Sequence, residues 1–213
     1  MDPFQFMTKA DLALLLGRKA RNARELFEGL RDVPAMSIYY HTHRYLQQHH
    51  YLSPEPPNDF AFWVTTVLND DALGERLASI DIIQCVSVEE IRDRFLGLLG
   101  DHLARDERAI DCPRGEEFHF MSCQTFVFPT PYTATDLGEF REALEHVTFG
   151  TLYYHMFDAR MRPALGANDF SLWIRDIGYP ALAEAIQALD PYTYTLDGLR
   201  RTIIRLIDDH DED

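Results

Sequence analysis

Cysteine is scarce. The 213 residues hold three, Cys85, Cys112 and Cys123, an odd number with no CxxC spacing. Neither a disulfide framework nor a cysteine zinc site fits that count, so reduced, inert thiols that pack like small hydrophobes are expected. Positive charge is short as well: 20 Lys and Arg stand against 35 Asp and Glu, a net charge of -15. Such a chain repels phosphate backbones and anionic lipid, and neither nucleic acid nor a membrane is expected as a partner. No apolar run approaches the roughly 20 residues of a spanning helix. The opening MDPFQFMTK has no basic leader followed by an apolar run and no cleavage site, so a cytoplasmic location is expected. Also missing are a phosphate loop, a GxSxG turn, an HExxH helix and a dinucleotide fingerprint. Common enzyme templates therefore assign no reaction.

What is present begins with an apolar content of 46%, ample for a packed core, and an acidic end, DDHDED, expected to be solvated. The dominant feature is an internal repeat. Residues 4 to 44 align without a gap with residues 118 to 158: FQFMT with FHFMS, ELFEGLRDV with EFREALEHV, SIYYH with TLYYH. Beyond a loop of unequal length, NDFAFWV at 58–64 matches NDFSLWI at 168–174, ALGERLASID at 72–81 matches ALAEAIQALD at 181–190, and SVEEI at 87–91 resembles TLDGL at 195–199. Two copies follow, 1–111 and 116–213, because a repeat of this extent marks a repeated architecture.

Each copy opens with aromatic alternation. EFHFMSCQTFVFP has the aromatic and β-branched content of a strand, whereas ADLALLLGRKA in the first copy is ambiguous, since Leu and Ala favour helix. Its alignment with the second copy favours strand. Helices follow: one over about 20–32, then a YYH helix with Ser37 or Thr151 as its N-cap, breaks at Pro54, Pro56, Pro57 and Pro163, and further helices capped by Asn58 and Asn168. Phe60, Trp63, Val64 and Val67, repeated by Phe170, Trp173, Ile174 and Ile177, form the buried stripe of those helices. The expected fold is α+β and helix-dominated. Two strand-plus-helices copies with short strands would join as one pseudo-two-fold globular unit, which helps to cover strand edges.

The repeat ranks the polar residues. SIYYHTHRYLQQHH at 37–50 carries four histidines, but only His41 has a counterpart, His155; His43 aligns with Phe157, and His49 and His50 fall where the copies differ in length. Helical spacing groups Ile38, His41, Thr42 and Tyr45 on one face, and Leu152, His155, Met156 and Ala159 on another, so both histidines point inward. Asp59 and Asp169 are their candidate partners by residue type. Two roles fit such pairs: buried structural hydrogen bonds, or a cleft in which they bind a metal or move protons near neutral pH. His41 and His43 lie on nearly opposite helix faces, which disfavours joint metal ligation. Tyr39, Tyr40, Tyr153 and Tyr154 read as amphipathic packing, with Tyr40 and Tyr154 able to orient a ligand at a cleft edge. Arg160 and Arg162, with Arg44 in the first copy, could hold a carboxylate or phosphate or be paired internally.

The doubled YYH and NDFxxW elements, at 39–41, 58–63, 153–155 and 168–173, resemble a bacterial family known as domain of unknown function 5752. That resemblance implies a bacterial cytoplasmic protein and brings no activity, cofactor or catalytic residue. The expectation is a binding or accessory module with an interrepeat cleft, for a protein or small molecule that the residues do not name. The alternative is a metal-dependent or His/Asp acid-base enzyme using His41, His155, Asp59 and Asp169.

Overall fold

The computed structural model describes residues 2–44, 57–82, 85, 87–105, 110–161, 167–189 and 193–211. The expectations for Tyr45, His49, His50, Pro54, Pro56, Arg162 and Pro163 lie outside those residues.

Two 17-residue strands, β1 at Phe4–Ala20 and β2 at Phe118–Ala134, pair as a two-stranded sheet. They are much longer than the short strands expected. The start of β1 meets the end of β2: Gln5 Nε2 donates to Thr130 O at 2.9 Å, and Thr130 Oγ1 donates to Phe6 O at 2.8 Å. The Leu and Ala run of the first copy is strand throughout, with Leu12, Leu14 and Leu15 exposed. Cross-strand pairing thus overrides helix propensity there, a common outcome when tertiary context competes with a weak local preference. Pro129 and Pro131 lack an N–H and are tolerated because a two-stranded sheet consists of edges.

Five helices follow each strand among the described residues. The first set is α1 (Ala23–Asp32), α2 (Ala35–Tyr39), which runs into a π-helical turn at Tyr40–Arg44, α3 (Asp59–Thr66), α4 (Asp71–Ala78) and α5 (Val88–Arg105). The second is α6 (Leu137–His146), α7 (Phe149–Met156) with a 3-10 turn at Asp158–Met161, α8 (Asp169–Asp176), α9 (Pro180–Gln187) and α10 (Leu196–Asp211). The class is α+β with helix dominant, and the strand-then-helices order occurs twice. Among the described residues no helix is long and apolar enough to cross a membrane.

Helix starts follow from side chains that accept first-turn amides. Asn58 Oδ1 accepts from Ala61 N and Asn168 Oδ1 from Ser171 N, both at 2.8 Å. Ser37 and Thr151, expected as caps, are instead inside their helices. The chain turns helical three residues earlier, after extended Pro34 and Thr148, and the Thr148 hydroxyl takes the Thr151 amide at 3.3 Å.

Two compact units divide the chain differently from the two repeats. One comprises Met1–Ala10 with Thr125–Asp213, the other Asp11–Gln124. Each takes the opening of its core strand from the other repeat. In the first unit Phe4 and Phe6, two residues apart and so on one face of β1, sit 5.3 and 5.1 Å from Phe140 and 5.7 and 6.0 Å from Phe170. In the second unit Phe118 lies 5.3 Å from Phe60 and 5.6 Å from Trp63. Phe120 approaches α1 so closely that a Cβ on Gly29 would collide with its ring. An arginine closes one helix in each unit, Arg92 buried and Arg200 half-buried: Arg92 Nη1 donates to Leu30 O and Val33 O at 2.5 and 2.8 Å, and Arg200 Nη2 to Val147 O at 2.5 Å. These guanidiniums satisfy carbonyls that a helix end leaves open.

A fragment of residues 11–124 retains Phe118 and Phe120, and a fragment of 1–111 lacks both. Losing a buried phenyl costs roughly 3–5 kcal/mol. Cooperative thermal unfolding, followed by near-ultraviolet circular dichroism, is therefore expected for 11–124 and absent for 1–111.

Candidate functional site

The YYH segments and the helices capped by Asn58 and Asn168 place a histidine against an aspartate in each unit. Capping fixes Asp59 and Asp169 at the first position of α3 and α8, where the helix dipole favours a carboxylate. His41 Nδ1 lies 2.6 Å from Asp59 Oδ2, and His155 Nδ1 lies 2.7 Å from Asp169 Oδ2. The other ring nitrogen is engaged as well. His41 Nε2 accepts the backbone N–H of Met121 at 2.9 Å, and His155 Nε2 accepts that of Met7 at 2.8 Å. An Nε2 that accepts an N–H carries no proton, so the network assigns the ring proton to Nδ1, which donates to the carboxylate.

Each imidazole is enclosed by rings. His41 is 1% exposed, with Phe118 at 4.7 Å and Phe60 at 5.2 Å; His155 is 3% exposed, with Phe4 at 5.0 Å and Phe170 at 5.3 Å. Each imidazole is thus the buried middle of a polar chain that runs from a partly exposed aspartate to a strand amide. Buried polar groups without partners cost 1–3 kcal/mol or so, and here every ring nitrogen has one. Tyr40 and Tyr154, half-buried, meet the neighbouring imidazole edge-on at 5.1 and 5.0 Å.

His43 is buried too, which the regular helical spacing did not suggest. The π-helical turn turns it inward, where it stacks on Tyr39 at 5.6 Å, as Phe157 stacks on Tyr153 at 4.3 Å. Arg44 lies over the Tyr40 ring and 3.9 Å from Asp11, an internal contact. Arg160 belongs to the 3-10 turn, but its side chain lies outside the described residues. Among the described residues no group of three or more His, Cys, Asp or Glu could hold a metal ion. None of the three cysteines is in a disulfide, and burial pushes the Cys85 and Cys112 thiols up, which disfavours the nucleophilic thiolate.

In the unit formed by Met1–Ala10 and Thr125–Asp213, an open cavity of about 480 Å³ adjoins the His155–Asp169 pair. Its walls include Asp2, Gln5, Tyr154, Trp173 and Asp176. Trp173 is 9% exposed, and its buried indole N–H has no acceptor among the described residues. The matching Trp63 donates to Glu116 O at 2.8 Å. Asp2, Gln5, Asp176 and the Lys9–Asp158 ion pair, 2.6 Å apart, were not singled out by the sequence. Asp2 and Asp176 lie outside the aligned segments, while Gln5, Lys9 and Asp158 align with unlike residues, His119, Cys123 and Arg44.

A family model described as a family of unknown function (DUF5752) matches residues 1–208. A solved structure, that of OrfY from Thermoproteus tenax, is similar over 100% of this chain and 97% of its own, with 32% sequence identity and a TM-score of 0.81. No curated protein matches the chain.

Replacing His41 or His155 by Phe strands a strand amide and a carboxylate. Each change is expected to lower the unfolding free energy by about 1–3 kcal/mol. His43→Phe, which restores the ring found at Phe157, should change it by less than about 1 kcal/mol. Urea unfolding of the three variants provides the comparison.

Proposed function

From the premise that the chain belongs to the family of unknown function DUF5752, we propose that it is a non-catalytic binding module. Its ligand site is the 480 Å³ cavity beside His155. The observation that carries this role is the full commitment of both imidazoles. Nδ1 of each faces an aspartate and Nε2 takes a strand amide, so neither nitrogen is left to relay a proton or hold a metal. The cavity falls within the roughly 300–1,000 Å³ common for small-molecule sites. It is also interrepeat in the sense of the sequence: Asp2 to Met7 come from the copy at 1–111, and Tyr154 to Asp176 from the copy at 116–213.

His155 and Asp169 then act as wall and support rather than as acid and base, and Tyr154 and Trp173 supply contact surface. A metal-dependent or His/Asp acid-base enzyme would need Nε2 to leave the amide of Met7 or Met121. The net charge of -15 supports a role without nucleic-acid or anionic-membrane partners.

Leu172, half-buried in the cavity wall, offers a way to fill the space from its side. In a metabolite screen read by melting temperature, ligands are expected that raise the midpoint of the native chain but not of Leu172→Trp. A ligand at 100 times its Kd adds about 2.7 kcal/mol. Mass spectrometry should recover those ligands unchanged after incubation. Chemical conversion of a ligand, lost in His155→Phe, would instead establish the enzyme.

A further inference from the structure

Strand β2 lies in the longest uncharged stretch of this acidic chain. Between Glu117 and Asp136 the sequence has no Asp, Glu, Lys or Arg, although 26% of the chain is charged. In the unit formed by Met1–Ala10 and Thr125–Asp213, the second half of this strand leaves Phe126, Val127, Phe128 and Tyr132 exposed by 43, 41, 48 and 37%. Pro129 and Pro131 beside them are exposed as well. Phe126 and Phe128, two residues apart, share a face of the strand. One exposed phenylalanine is ordinary, but a run of apolar side chains facing water marks an interaction surface. The internal repeat points the same way. Leu12 and Leu14, which align with Phe126 and Phe128, are also exposed, so both copies keep these positions apolar where burial within the chain does not require it.

Charge and area together select the occupant. Two chains that each carry -15 repel one another wherever their charged faces meet. This segment has no charge to repel with, so a second copy approaches here at the least electrostatic cost. About a two-fold axis the same patch meets itself, and an apolar patch is its own complement. Since aromatic side chains carry roughly 150–250 Å² each, the four exposed residues present on the order of 300 Å² of apolar surface. Two copies bring together about 600 Å², which approaches the apolar part of the smallest stable interfaces, roughly 1,200 Å² in total and somewhat over half apolar. Pro129 and Pro131 lack the N–H groups that a further strand would need. They favour side-chain packing, which closes as a pair, over a strand ladder that could extend without limit.

We infer that the Phe126–Tyr132 segment of β2 is the interface of a homodimer, with Phe126 and Phe128 packed against the same segment of a second copy across a two-fold axis. None of these residues lines the cavity beside His155, so the interface is independent of the ligand site.

Sedimentation equilibrium of the full chain, over a concentration series at low and high salt, provides the test. A species of twice 24.7 kDa is expected to form as concentration rises, and salt should strengthen it by screening the repulsion between copies. Phe126→Glu/Phe128→Glu places carboxylates in the apolar contact and should weaken the dimer at least about 100-fold, with the circular dichroism of the native fold retained. Ile110→Glu, which changes an exposed apolar residue outside the strands, should dimerise like the native chain. A second readout needs no variant: in the native chain, hydrogen exchange over 125–132 should slow as the dimer forms, and it decides alone if the double variant does not fold. A chain that stays monomeric at every concentration would overturn the second copy as occupant and leave the strand to another apolar partner. A dimer unaffected by the double variant, exchange over 125–132 indifferent to dimerisation, or an open-ended series of larger species would overturn the inference as well.

Discussion

A β-strand that enters an aromatic core must bring its backbone amides with it, and each needs an acceptor where water is absent. In this protein an imidazole is that acceptor. His155 takes the amide of Met7 and His41 that of Met121, while Asp169 and Asp59 hold the rings in the tautomer that leaves Nε2 free to accept. The Phe residues beside those amides, Phe6 and Phe120, are fully buried. Without the relay, seating each pair of rings would leave a buried donor unmet, at a cost comparable to much of what one ring contributes. The Asn caps, the first-turn aspartates and the YYH segments therefore work together: a cap sets the aspartate, the aspartate sets the imidazole, and the imidazole seats the strand.

That seating has a consequence for how the chain is partitioned. Because Met7 and Met121 belong to one repeat by sequence and to the other's helices by hydrogen bonding, the compact units are Met1–Ala10 with Thr125–Asp213, and Asp11–Gln124. The Arg92 and Arg200 guanidiniums reinforce each unit by closing the end of α1 or α6 from α5 or α10. The cavity follows from the same arrangement. Asp2 to Met7 and residues of α7 and α8 line one cavity, with Met7 bonded to His155, so the cavity and this histidine latch share a wall.

Much of this could be read from the residues. The doubled NDFxxW element identified Asn58 and Asn168 as caps, and alignment with FHFMSCQTFVF assigned strand to a run that Leu and Ala would otherwise make helical. Periodicity, however, says that Phe4 and Phe6 are buried and not against which helices. The exchange of strand openings was invisible for that reason. The π-helical turn at Tyr40–Arg44 departs from the 3.6-residue spacing that set His43 on nearly the opposite face from His41, and both are buried. The matched pair Arg92 and Arg200 directly follows SVEEI and TLDGL, so extending that alignment by one residue would have revealed it. The wall residues Asp2 and Asp176 carried no repeat signal, because the cavity side chains are a product of tertiary placement rather than of local pattern.

The latch is open to a direct measurement at two amides. Met7 and Met121 donate to side-chain nitrogens, so amide-resolved hydrogen exchange in the native chain should find both protected to nearly the level of global unfolding. In His155→Phe the Met7 amide alone should lose that protection, and in His41→Phe the Met121 amide alone, with the neighbouring strand amides retaining theirs. Rapid exchange of Met7 and Met121 in the native chain, or protection indifferent to both substitutions, would contradict the role assigned to the two histidines.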